Sequence, residues 1–186
     1  MRLVSFKVGF VDQKNRLRGL ERAMGYAIAG GLNDGGRKVF TVLRRQLRAQ
    51  TGAKRYRTIT ARTWALSASP GSLRYVIHAK DEPIDLAEFG ATMTGEGVQA
   101  SPWGVSRVFA RSFQRLKRAG SHNTMGLVAR LSESRYPIRA LHGPNLAKEL
   151  TGATRGSQTP EAFMAAAHLY VPPAILARMS RALGSQ

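Results

Sequence analysis

Between Leu17 and Thr63 apolar residues recur at helical spacing: Leu17, Leu20, Met24, Ile28 and Leu32, then Val39, Leu43 and Leu47. A helix with that stripe must lay it against another apolar surface, usually a sheet. Gly30, Gly31, Gly35 and Gly36 surround Asn33-Asp34 inside the pattern. Each glycine in a helix costs about 0.8–1 kcal/mol relative to alanine. The cluster is therefore either a turn that splits the helix or part of one kinked helix whose glycines admit a neighbouring backbone. The stripe resumes in phase after the glycines, which favours the single helix. Thr51-Gly52 is the expected stop, and Lys54 to Thr63 is expected to form a short second helix.

Strand patterns lie on either side. Val4, Phe6, Val8 and Phe10 alternate with Ser5, Lys7 and Gly9, as in a half-buried strand, and Asp12 to Arg16 forms a polar turn. Ser69-Pro70-Gly71 is a turn before a second alternation over Leu73, Tyr75, Ile77 and Ala79. Asp81 to Glu88, punctuated by Pro83 and Gly90, is a loop or short edge strand, and Thr94 to Gly97 is expected to be a mobile loop. Val105, Phe109, Phe113 and Leu116 fit a helix, yet the segment equally fits a strand with Phe109, Arg111, Phe113 and Arg115 on one side. After a turn from Ala119 to Asn123, Met125, Leu127, Ala129 and Leu131 alternate as a strand, and Tyr136-Pro137-Ile138 begins another extended piece. His142-Gly143-Pro144 should turn into a short helix from Asn145 to Leu150, followed by a linker from Gly152 to Ser157.

Thr159-Pro160-Glu161 has the marks of a helix start: a capping hydroxyl, a proline in the first turn and an acid near the positive helix end. That helix should break at Pro172-Pro173. A last amphipathic segment from Ala174 to Leu183 would place Ile175, Met179 and Leu183 on one side. Together these elements predict an α+β fold, with a long N-terminal amphipathic helix packed on an antiparallel sheet and C-terminal helical arms. Residues 1–150 form one domain with residues 1–11 as a strand extension, 151–159 form a linker, and 160–186 form a C-terminal helical arm.

Composition narrows the function. The chain has 186 residues, 43% of them hydrophobic, enough for one buried domain and unlike a disordered basic tail. Its formal charge of +18 attracts polyanions. No cysteine is present, which removes disulfides, thiolate catalysis and cysteine zinc sites. No apolar run approaches the roughly 20 residues of a membrane span, and residues 1–11 lack the apolar core of a signal peptide. His78, His122, His142 and His168 have no metal-site spacing, and no nucleophile elbow or phosphate-binding loop occurs. Gly152 to Ser157 resembles a phosphate loop only superficially, since it lacks the lysine and a preceding strand. We therefore expect no catalytic residue, no metal and no cofactor.

The chemistry that does stand out is electrostatic. No acid occurs between Asp34 and Asp81, and that interval holds Arg37, Lys38, Arg44, Arg45, Arg48, Lys54, Arg55, Arg57 and Arg62. An ordinary solvated helix face mixes both signs. Arg44, Arg45, Arg48, Lys54, Arg55 and Arg57 are accordingly the candidate face for an acidic partner or DNA. Asp81, Glu82, Asp85 and Glu88 form the one acidic cluster; they match no calcium loop. They either meet the basic face of a neighbouring copy or belong to a solvated loop. Recognisable nucleic-acid modules are absent, and Tyr26, Tyr56, Trp64, Tyr75, Trp103 and Tyr136 are scattered rather than set out as a stacking platform. Backbone attraction without base reading is the form of nucleic-acid binding that remains, and a non-specific DNA- or RNA-binding protein is the alternative reading.

Several segments in fixed order resemble the minor tail protein Z family, the tail completion proteins of long-tailed phages and prophages. They are Arg44 to Gly52, the basic segment Lys54 to Arg57, Pro83 to Ala91, Gly97 to Ala100 with Trp103-Gly104, Phe109 and Phe113, and Arg135 to Pro144. The resemblance covers roughly Leu17 to Leu150 and implies that Val105 to Leu116 is strand. The glycine cluster, Pro172-Pro173 and the strand before Asp12 depart from the pattern. By resemblance the chain is a virion structural protein at the head-proximal end of the tail, made in the bacterial cytoplasm. Its partners would be its own copies in a ring, expected to be a hexamer, with tail terminator, tail tube and head-tail connector proteins. It would have no membrane contact, and non-specific contact with packaged DNA fits its charge. Arg135, Tyr136, Pro137 and Ile138 would shape the fold or a subunit contact.

Overall fold

The computed structural model describes residues 4–5, 18–114 and 126–184. The expected strand residues Phe6, Val8 and Phe10, the turns at Asp12 to Arg16 and Ala119 to Asn123, and Leu17, Arg115, Leu116 and Met125 lie outside them. The architecture is α+β. A helix, α1, runs unbroken from Arg18–Thr51, and a second long helix, α4, from Thr159–Gly184. Between them in the chain lie two short α-helices, α2 (Tyr56–Thr60) and α3 (Leu146–Leu150).

Among the described residues the strands make four small antiparallel sheets rather than the single sheet expected. In the first, β3 (Val76–Ala79) lies between β1 (Val4–Ser5) and β2 (Thr63–Leu66), with Trp64 opposite His78. In the second, β4 (Pro83–Asp85) pairs with β11 (His142–Asn145). In the third, β6 (Gly97–Ala100) lies between β5 (Thr92–Thr94) and β7 (Arg107–Ala110). The fourth has β9 (Leu127–Arg130) between β8 (Ser112–Gln114) and β10 (Ile138–Ala140). The segment around Phe109 is strand, as the resemblance implied. Arg111 splits it, with φ 56°, a left-handed conformation uncommon for a side-chain-bearing residue. The chain turns there from one sheet to the next, so Phe109, Arg111 and Phe113 do not share one strand face.

Two cores share α1. Leu43 and Leu47 are buried with Ile59, Ile77, Ile84, Leu86, Phe89, Val98, Leu127, Leu141, Leu146 and Leu150, which joins the helix to strands from all four sheets. Ala29, Leu32 and Val39 are buried with Ala68, Ala166, Ala167, Val171 and Ile175, which joins it to α4. The glycine cluster serves this second core. A Cβ at Gly31 would lie 2.5 Å from the Ile175 Cα, and one at Gly35 2.8 Å from the Val171 Cα. The helices thus meet backbone to backbone. Asn33 adds a cross-link, accepting from the Ala68 N–H at 2.7 Å and donating to its carbonyl at 3.0 Å.

Other expectations are corrected. The helix does not break at Pro172-Pro173. Two prolines remove the hydrogen bonds to the carbonyls of His168 and Leu169. All four residues are exposed, so water can take the orphaned acceptors, while Val171 and Ile175 hold the helix against α1. Thr159 does not cap its helix: it lies in the first turn, and its hydroxyl is buried without a partner. The Gln158 carbonyl accepts the first helical bond, from Ala162 N at 3.1 Å. His142 to Pro144 is strand rather than turn, because β4 pairs with it and the Phe89 ring covers Gly143. Thr94 to Gly97 is a loop as expected, the tight turn of the β5–β6 hairpin, where the Thr94 hydroxyl donates to the Gly97 carbonyl at 2.8 Å. Of Ile175, Met179 and Leu183, only the first is buried and the last is exposed.

Candidate functional site

The basic run divides by role. Arg44 turns back onto its own fold: it donates to the Thr63 hydroxyl at 3.0 Å and the Thr63 carbonyl at 2.7 Å, with its guanidinium 3.9 Å from the centre of the Phe40 ring. Arg48 donates to the carbonyls of Ala53 and Lys54 at 3.3 and 2.9 Å. Both arginines therefore pin the C-terminal end of α1 to the segment that follows it. Gly52, with φ 73°, ends the helix in the left-handed conformation, its N–H bonded to the Arg48 carbonyl at 3.0 Å. That reversal carries the chain into Lys54, Arg55 and Arg57.

These three and Arg45 are exposed, and among the described residues their side chains form no hydrogen bond or ion pair. They are the part of the predicted face that remains available to a partner. Lys38 lies seven residues before Arg45 on α1 and is also exposed, with its ammonium 5.9 Å from the Tyr170 ring centre. Two helical turns separate residues seven apart, so Lys38 extends the cationic surface along the same side of the helix.

The acidic cluster does not gather at one point. Asp81 accepts from the Asn145 amide at 2.9 Å, and Glu82 pairs with Lys80 at 2.7 Å. Asp85 accepts from Ala87 N at 2.9 Å, capping a short 3₁₀ turn from Leu86–Phe89. Glu88 accepts from the Thr58 hydroxyl at 2.7 Å, and its carbonyl accepts from Lys54 N at 3.1 Å. One of the four acids therefore stands beside the basic segment of its own chain. Arg135 to Ile138 form the end of the β9–β10 hairpin. Arg135 lies 5.9 Å from the Tyr136 ring centre, Tyr136 is exposed, and the Pro137 carbonyl accepts from Leu131 N at 3.2 Å. Ile138 opens β10 opposite Arg130.

Two features were not singled out from the sequence. A polar cleft of about 460 Å³ lies between the β5–β6 turn and the ends of β8 and β9, lined by Glu96, Arg111, Phe113, Arg130, Ser132 and Glu133 among others. Arg111 stands 3.6 Å from Glu133, and the Arg130 guanidinium lies 5.3 Å from the Phe113 ring centre. Positive charges there are matched by carboxylates, in contrast to the α1–α2 surface. The other feature is Glu149, fully buried in α3, which accepts from the Trp103 indole N–H at 2.8 Å while its second oxygen has no partner. A buried polar group next to an apolar core is costly unless bonded, and this bond fixes the Trp103 ring at the C-terminal end of α1. The register that brings Trp103 to Glu149 has no signature in spacing.

No three His, Asp or Glu side chains among the described residues come together as a metal site, and no helix there is long and apolar enough to cross a membrane. No protein-family profile, curated protein or solved structure matches the chain.

Proposed function

We propose that the protein is a structural component of an assembled particle, working by docking its cationic α1–α2 surface on an acidic partner. The observation that carries this reading is the division within one basic run. Arg44 and Arg48 are spent on the fold, while Arg45, Lys54, Arg55 and Arg57 are exposed with no side-chain partner among the described residues. A cationic surface without base-reading geometry suits a phosphate backbone or an acidic protein rim. The ordered resemblance supplies the particle: completion of a long phage tail at its head-proximal end, as a homo-oligomeric ring in the neck, non-enzymatic and located in the virion.

The triple variant Arg45→Glu, Arg55→Glu, Arg57→Glu tests this. It removes side chains that bond nothing in the fold, so circular dichroism should not change. Purified particles from cells making it should lose the protein, while wild-type particles retain it at the neck. Wild-type particles that lack the protein would overturn the assignment. Titration of the isolated wild-type chain with random-sequence duplex separates the alternative. Tight binding that weakens by about 0.9 log units per neutralised phosphate for each log unit of salt marks a free nucleic-acid-binding protein instead.

A further inference from the structure

We infer that the outward face of α4 is a contact between two copies of this chain, formed by an antiparallel pair of α4 helices. Residues 162–177 carry no Asp, Glu, Lys or Arg, in a chain of formal charge +18. The face turned to α1 uses small or branched residues, Ala166, Ala167, Val171 and Ile175. The larger leucines are outside: Leu169 and Leu176 are each 64% exposed and Leu183 is 55% exposed. A helix that is apolar all round is ordinarily covered all round. Here one side is covered by α1 and, among the described residues, the other is bare.

The helix cannot rotate to bury the leucines in its own fold. Its backbone is seated against Gly31 and Gly35, and Arg178 bridges to Asp34 at 2.7 Å. Nor does α4 satisfy the length and hydropathy of a membrane span.

Three observations point to a second copy as the cover. First, Leu169, Leu176 and Leu183 recur every seven residues, the spacing that keeps a stripe facing a partner helix. Second, the stripe is self-complementary. A two-fold axis between Pro172 and Pro173 sets Leu169 against Leu176 of the other copy, Ala165 against Ser180, and Ala162 against Leu183. Third, two chains of this charge repel wherever cations face each other. An uncharged face on the side of α4 away from α1 gives them a contact without that cost.

The 26 residues of α4 span about 39 Å. A helix pair about 10 Å apart then covers roughly 400 Å² per copy, half the ~800 Å² of a standard stable interface. The association is therefore expected at micromolar rather than nanomolar concentration. The contact deepens the assembly reading by naming where copies meet. It pairs copies and does not by itself close a ring.

Sedimentation equilibrium on the full chain, from about 1 to 100 µM, tests it. The wild type should pass from one-chain to two-chain mass. Leu176→Glu should stay at one-chain mass with unchanged circular dichroism, since Leu176 lies outside both cores. Register is read by disulfide trapping, which the absence of native cysteine makes clean. A mixture of Leu169→Cys and Leu176→Cys chains should cross-link faster than either alone. A wild type that remains at one-chain mass would overturn the inference. So would a Leu176→Glu chain that pairs as tightly as wild type, or cross-linking without preference for the mixture. The charge-reversed triple variant should still pair, so docking and pairing can fail independently.

Discussion

Around Gly31 and Gly35, α1 meets α4 with nothing between the two backbones. Further along the same helix, Leu43 and Leu47 reach into a core built from four sheets and two other helices. The first contact depends on the absence of side chains and tolerates little addition. The second depends on their bulk and tolerates little loss. The two packings also carry different surfaces. The Leu43–Leu47 end bears the free cations of Arg45, Lys54, Arg55 and Arg57, whereas the glycine end holds α4 so that its leucines face outward. One helix thereby separates an electrostatic surface from an apolar one.

Opposite substitutions should break the two halves differently. The largest effect is expected from Leu47→Ala, which opens a cavity in a fully buried site. It should cost about 3 kcal/mol and lower the melting temperature by about 9 °C. Gly31→Ala comes next. Overpacking costs about 2 kcal/mol, offset by about 1 kcal/mol of improved helix propensity. The net loss should be smaller than for Leu47→Ala and should fall on the docking of α4. Adding a methyl group would then destabilise one half of the helix, as removing methyl groups does the other.

The smallest effect sharpens the comparison at the glycine end. Hydrogen bonding from Arg178, reinforced by its charge and that of Arg37, holds the Asp34 carboxyl below its usual 3.8. A lowered folded-state value means stabilisation that is present above the unfolded value and lost as pH falls through the folded one. Asp34→Asn should therefore cost about 0.5 kcal/mol at pH 7. The gap between variant and wild type should close below pH 3.8 in urea titrations at the two ends of that range. A gap that persists in acid would show that the carboxylate's charge is not what joins α4 to α1.

Much of α1 was legible because its stripe keeps one period across the glycines, and their use for close approach follows from having no Cβ. The acidic-partner face was legible only as a run of charge. Sequence spacing could not show that Arg44 and Arg48 bend back onto carbonyls of Thr63, Ala53 and Lys54, because those acceptors belong to the backbone. The sheets were harder. Strands of three or four residues give little alternation, and the left-handed turn at Arg111 has no glycine to announce it. Pro172-Pro173 misled for a definite reason: the rule that prolines break helices assumes that lost hydrogen bonds matter. On an exposed helix side seated by tertiary packing they matter little. The pairing of Glu149 with Trp103 was missed because its hydrogen bond spans 46 residues.

Hydrogen exchange on Gly31→Ala beside wild type tests most directly whether α1 joins two distinct packings. Amides of α4 should lose protection in the variant by roughly tenfold per 1.4 kcal/mol of weakened docking. Amides of α1 near Leu43 and Leu47, and those of β3, β6 and β9, should keep theirs. Equal loss of protection across both cores would contradict the account, since it would mean that α1, α4 and the sheets open as one unit.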